Sequence, residues 1–352
     1  MLLRRASQCC RHGVLSVVMK ALLYSLNTGM IVTYQNGTFY PPVRPKKSMI
    51  LSIALLISLL MGNVSTASDK NGVVPLATFD FAIAETLNAI GHPPRFLSGL
   101  EGYETYSRQD GVIPDTTNLG YRHLPNLELL ASDPPQHILI SPPAHASLLP
   151  RLRKIAEVKE YPLYKFADSD GDHNDWETIE ELTRQLGDLV GHPNAAEHYI
   201  EQSRHHFAAL KQALNDIDSH VLLVRLMDER HARVYGTGSV EGMMLNHLGL
   251  QNAWQGDLGQ WGMTTVNATP LFDIDAKLVF LDSPYGPDGG VRQLLSDGQW
   301  RHLPSVKQGN YTIIPVNYWS WGGLPAARRF ADSLVSHLTE SNRTGSASVD
   351  TN

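Results

Sequence analysis

The residues best suited to chemistry in this sequence are two groups of aromatic rings and one arginine loop. Trp254 and Trp261 stand seven apart in the Gly-rich stretch Asn252-Ala-Trp-Gln-Gly-Asp-Leu-Gly-Gln-Trp-Gly262. Tyr318, Trp319 and Trp321 cluster in Asn317-Tyr-Trp-Ser-Trp-Gly-Gly323. A loop tryptophan either packs into the core or lines an apolar pocket, and two such clusters together favour the pocket. Arg122 lies in Gly120-Tyr-Arg-His-Leu-Pro125. Pro125 bars helix before it, so a helix starts at Asn126 or Leu127 and the loop sits at its entrance, where a guanidinium is free to point into a cleft.

Other motifs carry less. Asp168-Ser-Asp-Gly-Asp-His-Asn-Asp175 is like half of a calcium loop, but its glycine is at the fourth place and no glutamate occupies the twelfth, so it reads as a solvated loop capping the next helix. Gly236-Thr-Gly-Ser239 lacks the lysine and spacing of a phosphate loop, and there is no Gly-x-Ser-x-Gly elbow. The histidines form neither HExxH nor HxxxH. No nucleophile–base set emerges, and no resident cofactor or protein-held metal is expected.

The elements that must position these residues alternate between strand and helix. Strands are expected at Pro75–Phe79, Arg95–Ser98, His137–Ser141, Tyr161–Phe166, His220–Met227, Ala232–Tyr235, Leu278–Asp282 and Tyr311–Pro315. Helices are expected from Asp80 to Gly91, Leu148 to Ala156, Asp175 to Val190, Val240 to Leu248 and Leu324 to Leu338. Residues 99–120, with Tyr103 and Tyr106, read as a long loop. Between the two runs lies a long helix, Asn194 to about Ile217. Ala196, Ile200, Ser203, Phe207, Leu210, Leu214 and Ile217 share one of its faces, and Asn194 with Glu197 forms a candidate capping box. The expected fold is α/β, with two lobes of mainly parallel sheets joined by this single helix: an N-terminal lobe over 68–192, a strut over 193–217 and a C-terminal lobe over 218–340. The tail over 341–352 reads as disordered.

The first 67 residues differ from the rest. They carry seven Lys or Arg and no acid, and end in a basic, apolar and small-residue series from Lys46 through Met49–Met61 to Ala67. This is the order of a cleaved signal peptide, with cleavage near Ala67–Ser68; thirteen apolar residues are too few to span a bilayer comfortably. Residues 1–48 read as an over-long start plus the basic part of that signal. Removing those seven cations from the chain's 29 leaves 22 against 35 acids, a net charge of −13 for residues 68–352, so nucleic acid is excluded as a partner. Cys9 and Cys10 both precede the cleavage point, which leaves no disulfide or thiol chemistry afterwards. The expected location is the periplasm, as a monomer.

Several strings resemble the periplasmic ferric hydroxamate-binding proteins that serve ABC importers, a helix-linked, class III type of periplasmic binding protein. They are Asp80-Phe-Ala-Ile-Ala-Glu-Thr-Leu87, Gly120-Tyr-Arg with Pro125-Asn-Leu-Glu-Leu-Leu130, Asp228-x-Arg-His231, and Asn252-Ala-Trp-Gln-Gly256 with Trp261-Gly262. The resemblance covers nearly all of Ser68–Leu338. It implies a cleft between lobes that closes little. It implies that Arg122 donates to the hydroxamate oxygens and that Trp254, Trp261, Trp319 and Trp321 wall the cleft; Tyr106, in the loop over 99–120, is a further candidate ligand contact. A family tyrosine in the loop after Ser141 is missing here, and His145 is the candidate substitute. Glu128 fits an acidic residue that docks on the inner-membrane permease. A ferric trihydroxamate brings its own six ligands, so the protein needs only a donor fork and flat apolar walls. Arg122→Ala is accordingly expected to weaken binding while hardly changing thermal stability. Open alternatives are a catecholate, ferric citrate, cobalamin or haem ligand, and a secreted α/β hydrolase. A triscatecholate would demand several cations, and Arg225 and Arg233 have no assigned place.

Overall fold

The structure is a computed structural model that describes residues 34–35, 38–39, 74–107, 113, 115–163, 176–236, 239–259 and 261–349. Contacts divide the chain into Met1–Gly72 and Val73–Asn352. In the first unit Tyr34–Gln35 and Thr38–Phe39 pair as an antiparallel hairpin. The expected signal segment and the Asp168–Asp175 loop lie outside the described residues. No described helix is long and apolar enough to cross a membrane.

In the second unit the N-terminal lobe is built on five strands: β1 (Leu76–Thr78), β2 (Phe96–Leu97), β3 (Thr117–Asn118), β6 (His137–Ile140) and β7 (Glu157–Glu160). Their order is β3-β2-β1-β6-β7, and every pair is parallel. Such a sheet is covered on both faces, which is why Leu76, Ala77, Ile138, Leu139 and Ile140 are all buried. A small antiparallel hairpin, β4 (Gly120–Tyr121) and β5 (Leu124–Pro125), carries Arg122 and His123 at its turn. β7 lies earlier than the strand expected over Tyr161–Phe166. It is an edge strand of sequence Glu-Val-Lys-Glu, and its charge hides it from a hydrophobic pattern.

Residues 99–120 are not all loop. Leu100–Tyr106 forms helix α2, entered through Gly99 at φ 76°. A Cβ at Gly99 would lie 3.1 Å from that of Arg122 and 3.3 Å from the Phe81 ring, so only glycine suits both the backbone and the space. Tyr103, three residues into this helix, is buried edge-on against Phe81, a packing contact that offsets the poor helix propensity of Gly102.

The connecting helix, α6, runs Pro193–Ala213. Its first residue is the proline itself, whose missing N–H costs nothing at that position. Asn194 is therefore inside the helix rather than capping it, and His192 precedes it without a side-chain cap. Glu197 pairs with Arg184 of the preceding helix, α5 (Trp176–Val190), instead of closing a capping box. Ala196, Ile200, Ser203 and Phe207 are its buried face, as the spacing requires.

The C-terminal lobe has β8 (His220–Leu226), β9 (Ala232–Tyr235), the short β10 (Gln251–Asn252), β11 (Met263–Val266), β12 (Lys277–Asp282) and β13 (Tyr311–Pro315). The main path is β11-β9-β8-β12-β13; β9 is antiparallel to both neighbours, and the remaining pairs, including β10 with β8, are parallel. The last helix, α10, runs Leu324–Val349 and continues past Leu338 through the stretch expected to be disordered, where Lys277 donates to Ser341 at 3.1 Å. No proline follows Pro325, so nothing in the sequence forces an earlier stop. α10 packs on helix α1 (Phe81–Ala89) of the first lobe and on α6, as well as on β13.

Candidate functional site

A cleft of about 770 Å³ opens between the lobes. Arg122, His123 and Ala144 form its N-terminal wall, and Arg233, Met263, Thr264 and Thr265 form its C-terminal wall. Trp261, Trp319 and Trp321 complete the lining. Trp261 and Trp321 meet at 6.0 Å and 74°, and Trp319 and Trp321 at 5.1 Å and 63°, both edge-to-face. Trp261 and Trp321 each touch the core of both lobes, which places them where the lobes join.

Arg122 is held from four sides. Its Nε donates to the Phe79 carbonyl at 3.0 Å, and its Nη2 lies 3.4 Å from Oδ2 of the fully buried Asp80. Its guanidinium carbon stands 5.1 Å from the Phe81 ring centre and 4.9 Å from that of Trp319. Asp80 is also the N-cap of α1, accepting from Ala82 N at 2.8 Å. The Asp80-Phe-Ala string therefore does two jobs, starting a helix and orienting the arginine. Sandwiched between rings and tied at Nε, the guanidinium presents a fixed edge rather than a mobile one.

Arg122, Trp261, Trp319 and Trp321 are thus brought together; three other candidates are not. Trp254 does not line the cleft. It packs against the cluster under the opposite face of the C-terminal sheet, and its ring folds back over Gly256 with Nε1 3.5 Å from the Asp257 carbonyl. Seven residues of Gly-rich loop suffice to send it and Trp261 to different faces. His145 is buried behind the wall, tilted on Phe79 at 5.9 Å and stacked on His123 at 6.4 Å. Burial lowers its pKa to about 4, so it is a neutral supporting ring at physiological pH. Neither of its nitrogens has a partner of ordinary geometry, although the Phe79 carbonyl lies close enough to favour the protonated form slightly. Tyr106 stands behind Trp319 at 5.1 Å and against Tyr285 at 5.6 Å. Burial raises its phenol pKa.

His123, Thr264 and Thr265 line the cleft without having been expected there, and Arg233, which the sequence leaves without a place, lies on its C-terminal wall. His123 is held neutral more firmly than usual, first by burial and then by the charge of Arg122. Arg233 had a usable signal: a tight Asp228–His231 turn between two strands makes it the cross-strand partner of Arg225. The two threonines had none. Glu128 is not among the lining residues; it is exposed in the first turn of helix α3 (Leu127–Ser132), which Asn126 caps by accepting from Leu129 N.

A match to the model of the periplasmic binding protein family covers residues 76–318. The chain belongs to that family. It is 26% identical over 299 residues to the iron(3+)-hydroxamate-binding protein FhuD of Escherichia coli K12, covering 83% of this chain and 96% of that one. The structure resembles the Fe3+–Desferal-bound siderophore-binding protein FhuD of Vibrio cholerae, with a TM-score of 0.69, 22% identity, and 76% of this chain and 99% of that one covered. It also resembles the periplasmic catecholate-siderophore binding protein VctP of Vibrio cholerae, with a TM-score of 0.56, 17% identity, and 76% and 98% covered. Two ligand classes thus share this binding-protein fold. The fold by itself therefore does not fix a ligand class.

Proposed function

We propose that this chain is an exported, periplasmic substrate-binding protein that captures a ferric siderophore of the hydroxamate class and delivers it to an ABC importer. The observation that carries this reading is the Arg122 guanidinium, fixed between Phe81 and Trp319 at the mouth of a cleft walled by three tryptophans. An arginine fork donates to hydroxamate oxygens that share negative charge with iron, and the indoles cover the organic skeleton. The iron complex is cargo, and its ligands come from the siderophore. The relationship to the Escherichia coli hydroxamate-binding protein over nearly its whole length supports the same ligand class. A hydrolytic reading is poorly served, because the described lining holds a histidine but no acid, serine or cysteine.

Titrating purified protein that starts at Ser68 with ferric trihydroxamates is expected to quench tryptophan fluorescence saturably, since Trp261, Trp319 and Trp321 line the site. No quenching by any ferric siderophore in a broad panel would sink the proposal.

We propose docking on the permease at the surface carrying exposed Glu128, with the exposed Tyr121, Leu124 and Leu129 of the same chain segment. Glu128→Ala is expected to leave siderophore affinity unchanged and to reduce cellular uptake of radiolabelled iron complex. Uptake at the parental rate would reduce Glu128 to a helix-end charge worth a few tenths of a kcal/mol up to about 1.

A further inference from the structure

The C-terminal wall of the cleft contains a charge arrangement that the hydroxamate reading does not use. Antiparallel pairing sets Arg225 of β8 directly opposite Arg233 of β9, and Arg233 directly opposite Thr265 of β11. Directly opposed residues share a face of the sheet, so the three form a row across three strands. Arg233 and Thr265 line the cleft. Like charges placed opposite one another destabilise a sheet. Yet among the described residues neither arginine is in an ion pair. The Nε of Arg225 is buried without a hydrogen-bond partner, and the guanidinium lies close enough to the Tyr235 hydroxyl to draw its pKa down against the effect of burial. The buried carboxyl of Glu241 feels the charge of Arg225, but burial pushes its pKa up to about 7, which favours the neutral form more than in an ordinary carboxyl.

Arg122 differs on this point, because buried Asp80 already offsets its charge. No Asp or Glu is among the described residues that line the cleft, in a chain that carries 35 acids against 29 Lys and Arg. Among the described residues the uncompensated charge of the cleft therefore sits on one wall, and low-dielectric indole rings beside it strengthen its field.

Building on the siderophore reading above, we infer that Arg233, with Arg225 behind it and Thr265 beside it, forms an anion subsite that selects ferric complexes whose peripheral arms carry negative charge. A carboxylate arm would accept from the Arg233 fork and from the Thr265 hydroxyl, and would relieve the repulsion between the two arginines. A complex with an ammonium arm would meet that repulsion instead. The subsite thus governs which member of the ligand class binds, while Arg122 and the indoles hold the iron centre and skeleton common to all.

The test uses ferric complexes of one linear trihydroxamate scaffold that differ only at the chain end: ammonium, neutral acetamide or carboxylate. The parent protein is expected to bind the carboxylate form about tenfold or more tighter than the ammonium form, with the gap narrowing as salt rises. Arg233→Gln is expected to shrink that gap to about twofold or less, and Arg233→Lys to keep part of it, since it retains the charge but not the fork. Thermal melting of Arg233→Gln should match or exceed the parent, because one of two opposed like charges is gone. Equal binding of all three complexes by the parent would overturn the subsite and leave the hydroxamate reading standing. So would an Arg233→Gln loss of the same size for all three. A parent that ignores the trihydroxamates but binds a ferric triscatecholate would uphold an anion-selective wall and overturn the hydroxamate class. Binding of none of these would overturn both.

Discussion

Arg329→Met is expected to destabilise the protein by about 3–5 kcal/mol at neutral pH, the usual consequence of stripping the partner from a buried charge. Arg329 of α10 and Glu85 of α1 are both almost fully buried, and their side chains are directly hydrogen-bonded. Arg329 Nε also donates to the Asn317 carbonyl at 3.1 Å, and Glu85 accepts from Gly323 N at 2.8 Å. The pair therefore ties the first helix of the N-terminal lobe to the chain segment that carries Trp319 and Trp321. Burial already raises the Glu85 pKa even though Arg329 draws it down. Without Arg329 it must rise further, towards a neutral carboxyl at physiological pH. A folded pKa above the unfolded one means that the native state binds the proton more tightly. The variant then loses stability as pH rises from about 4.3, the unfolded value for glutamate, through its raised folded pKa. Below about pH 4 the carboxyl is protonated in both states, and the deficit should shrink. Urea unfolding of parent and variant at pH 4 and pH 7 measures this. A pH-independent cost under about 1 kcal/mol would show that the pair is solvated and energetically minor. Adding Glu85→Gln to the Arg329→Met variant should recover much of the loss, since no charge is then left uncompensated.

Arg122→Ala is expected to weaken ferric siderophore binding by about 10- to 100-fold, from the loss of charge-assisted hydrogen bonds worth roughly 1.5–3 kcal/mol. It should also lower stability, by roughly 1–3 kcal/mol, because Asp80 is fully buried and loses a donor. That second effect is contrary to the expectation from sequence alone, where an arginine in a loop with Gly and Pro looks expendable to the fold. Arg122 instead fills the gap between Phe81 and Trp319 and helps hold the Asp80 turn. Binding must therefore be measured well below the variant's melting temperature. Arg122→Lys should recover most of the stability, since a cation can still reach Asp80, but only part of the affinity, since the planar fork is gone. An Ala variant that bound ferric siderophores as tightly as the parent would remove Arg122 from the site.

The lobes and the helix between them were legible because their signals are local. Buried parallel strands such as His137–Ile140 read as apolar runs, and a long helix shows its face every three or four residues. Edge strand Glu157–Glu160 was not legible, because half of its environment is water. Helix Leu100–Tyr106 was hidden by glycines that its packing on Phe81 requires.

For the site, the sequence by itself determined the inventory: an arginine at a helix entrance, tryptophans in two Gly-rich loops, and a chain whose acids outnumber its cations. It could not determine which of those groups face one another. Trp254 and Trp261 are near neighbours in the chain, yet they lie on opposite faces of a sheet, because a Gly-rich turn constrains direction so weakly. Glu85 and Arg329 are 244 positions apart and still form one buried pair, since α10 returns to the first lobe after the second is complete. Arg233 is positioned by strand register, and its lack of a counter-charge among the described residues depends on every element around the cleft. Burial, pairing and charge compensation are properties of the assembled neighbourhood, so the tertiary structure alone decided them.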